Sequence, residues 1–144
     1  MNTKGIGNIG EAKVLAKLVE LGIPVYIPFG DNERVDLIAE FNGKLNRIQV
    51  KTSIKAEDGV MIFSLNSSTM HRKKGVRHIY TDSEIDYFAC YNIARDKIFL
   101  LPVNEVSNNT INIRYEAAKN HQIKDIKFEE NYLIENILGP KSSP

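Results

Sequence analysis

The chain has 144 residues, 42% hydrophobic and 26% charged, which supports one domain with a real core. Lysine plus arginine (19) nearly balances aspartate plus glutamate (18), so with a net charge of +1 any anion-binding surface has to come from local clustering. The lone Cys90 excludes an internal disulfide and suits a reducing compartment; no apolar leader region opens the chain and no run approaches membrane-spanning length, so a cytoplasmic protein is expected.

In chain order, residues 9–22 place Val14, Leu15 and Leu18 on one helical stripe, with Gly22 as the stop. Asn8 and Glu11 have the spacing of a capping box, and an acid in a first turn suits the helix dipole. Glu11 also lies on the stripe that faces the core, so capping and a role in a site both stay open. Short strands are expected near 23–28, 34–41, 45–52 and 60–64, followed by a basic, hydroxyl-rich loop over 65–85. Two further strands, DYFACYNI and KIFLLPV, are joined through Arg95-Asp96-Lys97. Beyond Val103 the pattern gives a short helical turn, a strand near 111–115, an amphipathic helix at 129–138 and a tail at 139–144 expected to fray. No repeat or linker divides the chain, so residues 1–144 read as a single domain.

Asn42-Gly43 between alternating runs is the signature of a two-residue type I′ turn. If Phe41 pairs with Lys44, Leu37 faces Ile48 and Val35 faces Val50 on an apolar side, while Asp36 stands opposite Gln49 with Lys51 one step along. Two side-chain oxygens so placed can share a hard divalent cation, with the Val50 carbonyl and waters completing the shell. Such an ion polarises a phosphoryl oxygen and acidifies water, and Lys51 would orient that water or stabilise developing negative charge. A cross-strand polar pair on a wet sheet face is the plainer reading of the same residues.

Asp36…Gln49-Val50-Lys51 resembles the PD-(D/E)xK nuclease superfamily, in which an aspartate and an acid-x-lysine occupy adjacent strands. Together with NIGEAKVLAKLVELG, PFGDNERVDLIAEFNGKLNRIQVKT, SEIDYFACYNIARDKIFLLPVNEV and KNHQIKDIKF, the chain is similar to the branch of group I intron-encoded homing endonucleases. The resemblance implies an α/β, restriction-endonuclease-like fold: a mixed central sheet flanked by helices. It implies Mg²⁺- or Mn²⁺-dependent cleavage of double-stranded DNA at a specific, long site, with Asp36, Gln49 and Lys51 in the active site and Glu11 as accessory acid. Metal ligands would be Asp36, Gln49, Val50 and Glu11. Gln49 departs from the superfamily's usual acid and brings no charge to the metal. One site per domain and two strands to cut imply a homo-oligomer, a dimer or tetramer. A junction resolvase with the same catalytic residues, or a non-catalytic DNA-binding module on this fold, are the competing readings.

GIGNIG matches the dinucleotide fingerprint GxGxxG, but only Met1 to Lys4 precede it and no βαβ unit can be built there. These glycines read instead as a flexible N-terminal stretch, or as a place where backbone approaches a DNA phosphate. Arg72, Lys73, Lys74 and Arg77 form a basic cluster suited to phosphates. Lys119, Asn120, Gln122 and Lys124, with Arg114 and His121 nearby, mix phosphate-binding and base-reading side chains. The three histidines form no zinc pattern. Asp86 reads as a strand-start residue, and Tyr80, Tyr87 and Tyr91 as packing residues.

Overall fold

The first helix begins earlier than its apolar stripe suggests. In the computed structural model, which describes residues 2–30, 34–65, 84–118, 120 and 126–140, α1 spans Thr3–Glu20. Its cap is Asn2, whose side-chain oxygen accepts the Gly5 N–H at 2.8 Å. Asn8 therefore lies inside the helix and forms no capping box, and Gly5, Gly7 and Gly10 are helical residues rather than a flexible stretch. A glycine inside a helix costs roughly 0.5–1 kcal/mol relative to alanine, which is why the segment reads as irregular from sequence. Packing overrides that penalty: Gly10, Val14 and Leu18 recur every fourth residue and are buried. Gly22, with φ +75°, ends the helix as expected.

The strands are β1 (Val25–Tyr26), β2 (Leu37–Phe41), β3 (Lys44–Ser53), β4 (Val60–Ser64), β5 (Tyr87–Asn92), β6 (Lys97–Pro102), β7 (Thr110–Arg114) and β8 (Lys127–Phe128). They form a five-stranded mixed sheet, β1-β2-β3-β5-β6, and a three-stranded sheet, β4-β7-β8. Only β3 and β5 run parallel in the larger sheet. Asn42 and Gly43 take positive φ, +55° and +71°, and β2 pairs with β3 in the register the turn predicts, from Phe41↔Lys44 to Leu37↔Ile48. β1 and β2 are shorter than their apolar runs.

The expected helix at 129–138 is two pieces. A 3₁₀ turn at Glu129–Asn131 and the short α2, Ile134–Leu138, are separated by Tyr132 and Leu133. The interruption has a cause: the Tyr132 carbonyl accepts the Leu100 N–H at 2.8 Å and Leu133 bridges Phe99, so the chain is held to the edge of β6.

Both faces of the larger sheet are covered. On one side Leu37, Ala39, Ile48, Val50 and Leu100 pack against Val14 and Leu18 of α1 and Ile134 of α2. On the other, Phe88, Phe99 and Leu101 pack against Met61, Phe63, Ile111 and Ile113 of the smaller sheet. β3 is therefore a central strand whose middle, from Ile48 to Val50, is buried, and polar groups there need partners. Among the described residues no helix is long and apolar enough to cross a membrane.

Candidate active site

The β2–β3 ladder stops one residue short of Asp36. Its main-chain N–H donates to the Ile48 carbonyl at 2.8 Å, and its Oδ2 accepts the Val50 N–H at 2.8 Å. The regular pairing that would set Asp36 opposite Gln49 is not continued, and the carboxylate is instead fixed to β3 through a backbone bond. The same departure corrects the expected Val35–Val50 pair. Val35 joins Phe63 and Phe88 between the two sheets, while Val50 packs with Leu37 and Ile48 on the helix side. Alternation cannot be carried back past the end of a ladder.

Gln49 and Lys51 point away from Ile48 and Val50, as alternation requires. Their parallel partners are Phe88 and Cys90. Gln49 is only 7% exposed, so the reading of a solvated polar face is wrong. Its Oε1 is buried and has no hydrogen-bond partner, a state that costs about 1–3 kcal/mol unless something else meets it. Lys51 is partly buried; burial pulls its ammonium pKa down, opposed by the charge of Asp36. The Cys90 thiol beneath it is pushed well up by complete burial.

Glu11, in the body of α1, is half-buried, and burial raises its carboxyl pKa. Its charge reaches Asp36. The Asp36 pKa is pushed up to about 6, first by burial and further by Glu11, against the lowering influence of the Val50 N–H and Lys51. Two partly buried carboxyls, both with raised pKa, beside an amide oxygen lacking a donor, form a set of hard oxygen ligands suited to a divalent cation. Among the described residues no group of three His, Cys, Asp or Glu side chains is placed to hold a metal, so a ligand set here would draw on neutral oxygens as well as on Asp36 and Glu11. The orphaned Oε1 fits that requirement.

Of the other expected site residues, Arg72, Lys73, Lys74, Arg77, Lys119, Gln122 and Lys124 lie outside the described residues; Asn120 is described and exposed. Arg114 ends β7, with its guanidinium donating to the Glu116 and Asp58 carbonyls. Asp86 immediately precedes β5 and takes the Arg47 main-chain N–H at 2.8 Å and its guanidinium at 3.0 and 3.1 Å. Tyr91 is buried and donates to Asp96 at 2.6 Å, and Tyr87 packs on Phe41. Sequence reading missed the approach of Gly10 to Thr52, although a glycine in register with Val14 and Leu18 is the signal that would have shown it.

A mixed sheet whose central strand carries a buried amide and a lysine, with an aspartate entering from the neighbouring strand and a glutamate from the first helix, is the arrangement of a restriction-endonuclease-like nuclease. The chain belongs to the PD-(D/E)XK endonuclease family, whose sequence model matches residues 1–135. In fold it is similar to the bacterial homing endonuclease I-Ssp6803I, with a TM-score of 0.64 and 21% identity over 92% of this chain and 86% of that one. A more distant superposition, with TM-score 0.40 and 19% identity over 75% of this chain and 83% of the other, is with Hjc, a Holliday junction resolvase from Archaeoglobus fulgidus. No curated protein sequence matches significantly.

Proposed function

We propose that the protein is a Mg²⁺- or Mn²⁺-dependent endonuclease that cuts double-stranded DNA at a specific site, a homing endonuclease acting in the cytoplasm as a homo-oligomer. The observation that carries the reading is the Gln49 Oε1, buried without a donor in a site otherwise made of Asp36, Glu11 and Lys51. Membership of a nuclease family and a fold similar to that of a homing endonuclease support it. Asp36 and Gln49 would hold the metal, with the Val50 carbonyl and Glu11 completing its surroundings. When bound, the ion supplies Lewis-acid polarisation of a phosphoryl oxygen and a more acidic water.

The chain's own residues do the rest. The Val50 N–H fixes one oxygen of Asp36, so the other is the one that would be offered to an ion. The Lys51 ammonium places a positive charge where the phosphate gains negative charge in the transition state. Its lowered pKa also lets it exchange a proton with the attacking water more readily than a surface lysine does. The basic clusters at 72–77 and 119–124 would hold the DNA backbone. Each domain supplies one site, so cutting both strands calls for a second copy.

The test is cleavage of plasmid DNA carrying the native genomic neighbourhood, with Mg²⁺ and then with EDTA. Wild type should cut at one place, EDTA should stop it, and Lys51→Ala should slow it about 100- to 1,000-fold. Tight DNA binding without cutting under any divalent metal would make the protein a non-catalytic module. Preferential cutting of a four-way junction over linear duplex would assign it to structure-specific cleavage instead.

A further inference from the structure

We infer that Gly10 is a positioning residue for the metal site: its missing side chain lets α1 come down onto Thr52 and thereby holds Glu11 beside Asp36. The inference rests on the metal-site reading of Asp36, Gln49 and Glu11.

The geometry is local and sharp. A Cβ built on Gly10 would lie 1.8 Å from Thr52 Oγ1, 3.1 Å from its Cβ and 3.4 Å from its Cγ2. A 1.8 Å approach is impossible, so a side chain at residue 10 must turn the Thr52 hydroxyl away, and the 3.1 Å approach to the Thr52 Cβ, which rotation cannot relieve, still presses helix and strand apart by a few tenths of an ångström. Gly7, one turn earlier in the same helix, has nothing within 4 Å of the corresponding point. Two glycines in one helix therefore differ completely in what their lack of a side chain does. Gly10 is buried in line with Val14 and Leu18, which hold the following turns of α1 on the sheet, so the helix is pinned in its middle, beside Glu11. Thr52 directly follows Lys51 on β3, and Glu11 directly follows Gly10 on α1. The contact thus joins the two elements immediately beside two members of the site. Glu11 is near enough for its charge to be felt at Asp36, and that proximity depends on where the helix lies.

The experiment is Mn²⁺ binding to the full chain without DNA, read from the electron paramagnetic resonance signal of free Mn²⁺, with thermal melting run alongside. Gly10→Ala should weaken binding about tenfold, the scale on which outer-shell support acts, while Gly7→Ala stays within about twofold of wild type. Gly10→Ala combined with Thr52→Ala removes the colliding Oγ1 and Cγ2 and should return to within about threefold of Thr52→Ala alone. In a Glu11→Gln background Gly10→Ala should add less than about twofold, because both changes act on the same ligand.

Each contrary result is decisive. A folded Gly10→Ala that binds like wild type overturns the inference. So does a full tenfold loss persisting in the Glu11→Gln background, which would route the damage through the Lys51 strand. Should Gly10→Ala fail to melt cooperatively, the double variant decides, recovery supporting the inference and a folded but weak binder overturning it. If Glu11→Gln alone leaves Mn²⁺ binding unchanged, it is the assignment of Glu11 to the metal that fails.

Discussion

Asp36 and Asp86 stand in matching positions on either side of β3. Each lies one residue before a strand that flanks it, β2 or β5, and each carboxylate accepts a β3 main-chain N–H at 2.8 Å, from Val50 and Arg47 respectively. Their electrostatics are opposite. The Arg47 guanidinium grips Asp86 with two bonds and holds its carboxyl below the usual carboxylate range. Asp36 is more deeply buried, faces the charge of Glu11, and sits at about 6. One aspartate comes with its counter-charge and fastens strands together. At the other, burial and Glu11 outweigh the charge of Lys51, which is the imbalance that a bound cation would relieve under the proposed function.

The sharpest way to break this comparison is to neutralise Asp36. If it holds the metal, Asp36→Asn loses several kcal/mol of transition-state stabilisation, about 10³-fold in cleavage rate. The same variant should melt a few degrees (about 2–5 °C) higher at pH 8, because a costly buried charge is gone while the amide oxygen can still accept the Val50 N–H. The sign follows from the raised pKa. The folded state binds this proton more tightly than the unfolded chain, so the stability that protonation confers is present at low pH and lost as pH rises through about 6. The advantage of Asp36→Asn should therefore vanish toward about pH 4, as melting curves across the range would show. A variant that melts lower than wild type at pH 8 would mean that Asp36 is structural after all.

Asp86→Asn should do the reverse, with a smaller effect. Cleavage per folded molecule should stay within about threefold of wild type, while stability falls by about 1 kcal/mol, the solvent-screened worth of a partly exposed ion pair, or about 3–5 °C. Here the folded pKa is depressed, so the contribution is present at neutral pH and is lost as pH falls through the acid range. The deficit of Asp86→Asn should shrink on acidification, and a deficit that grew would contradict the Arg47 pairing as its origin.

The hairpin was the most legible part of the sequence, because Asn42-Gly43 and the alternation around it act over a few residues. The register it fixed is observed as far as Leu37↔Ile48, and fails at Asp36, where a side chain bonding to the Val50 backbone replaces a ladder rung. That substitution leaves no trace in hydrophobic periodicity. The start of α1 was hidden by three glycines of weak helix propensity, of which Gly10 is the one seated against β3. The strands of the smaller sheet were visible one by one, but β4 meets β7 across a long separation in sequence, and nothing local encodes that pairing. Gln49 is paired with Phe88, which packs on this sheet, so the difference between a wet amide and an orphaned one lay beyond periodicity. Asp36, Gln49 and Lys51 were singled out by their pattern; what surrounds them required the fold.

The fastening of Tyr132 and Leu133 to β6 has a consequence for self-association. β6 is an outer strand of the larger sheet and reads KIFLLP, an apolar run flanked by a single lysine. With the following chain in place, the Leu100 N–H is already engaged and Ile134 fills the space beside it. A chain ended at Asn131 would offer that edge to other molecules, and unpaired apolar strand edges seed aggregates. Light scattering on the shortened protein at about 10 µM should reveal growing particles where the whole chain stays dispersed, since concentrations in the micromolar range suffice once such edges are open. A shortened chain that stays dispersed would show that β6 is guarded by its own twist rather than by the segment laid across it.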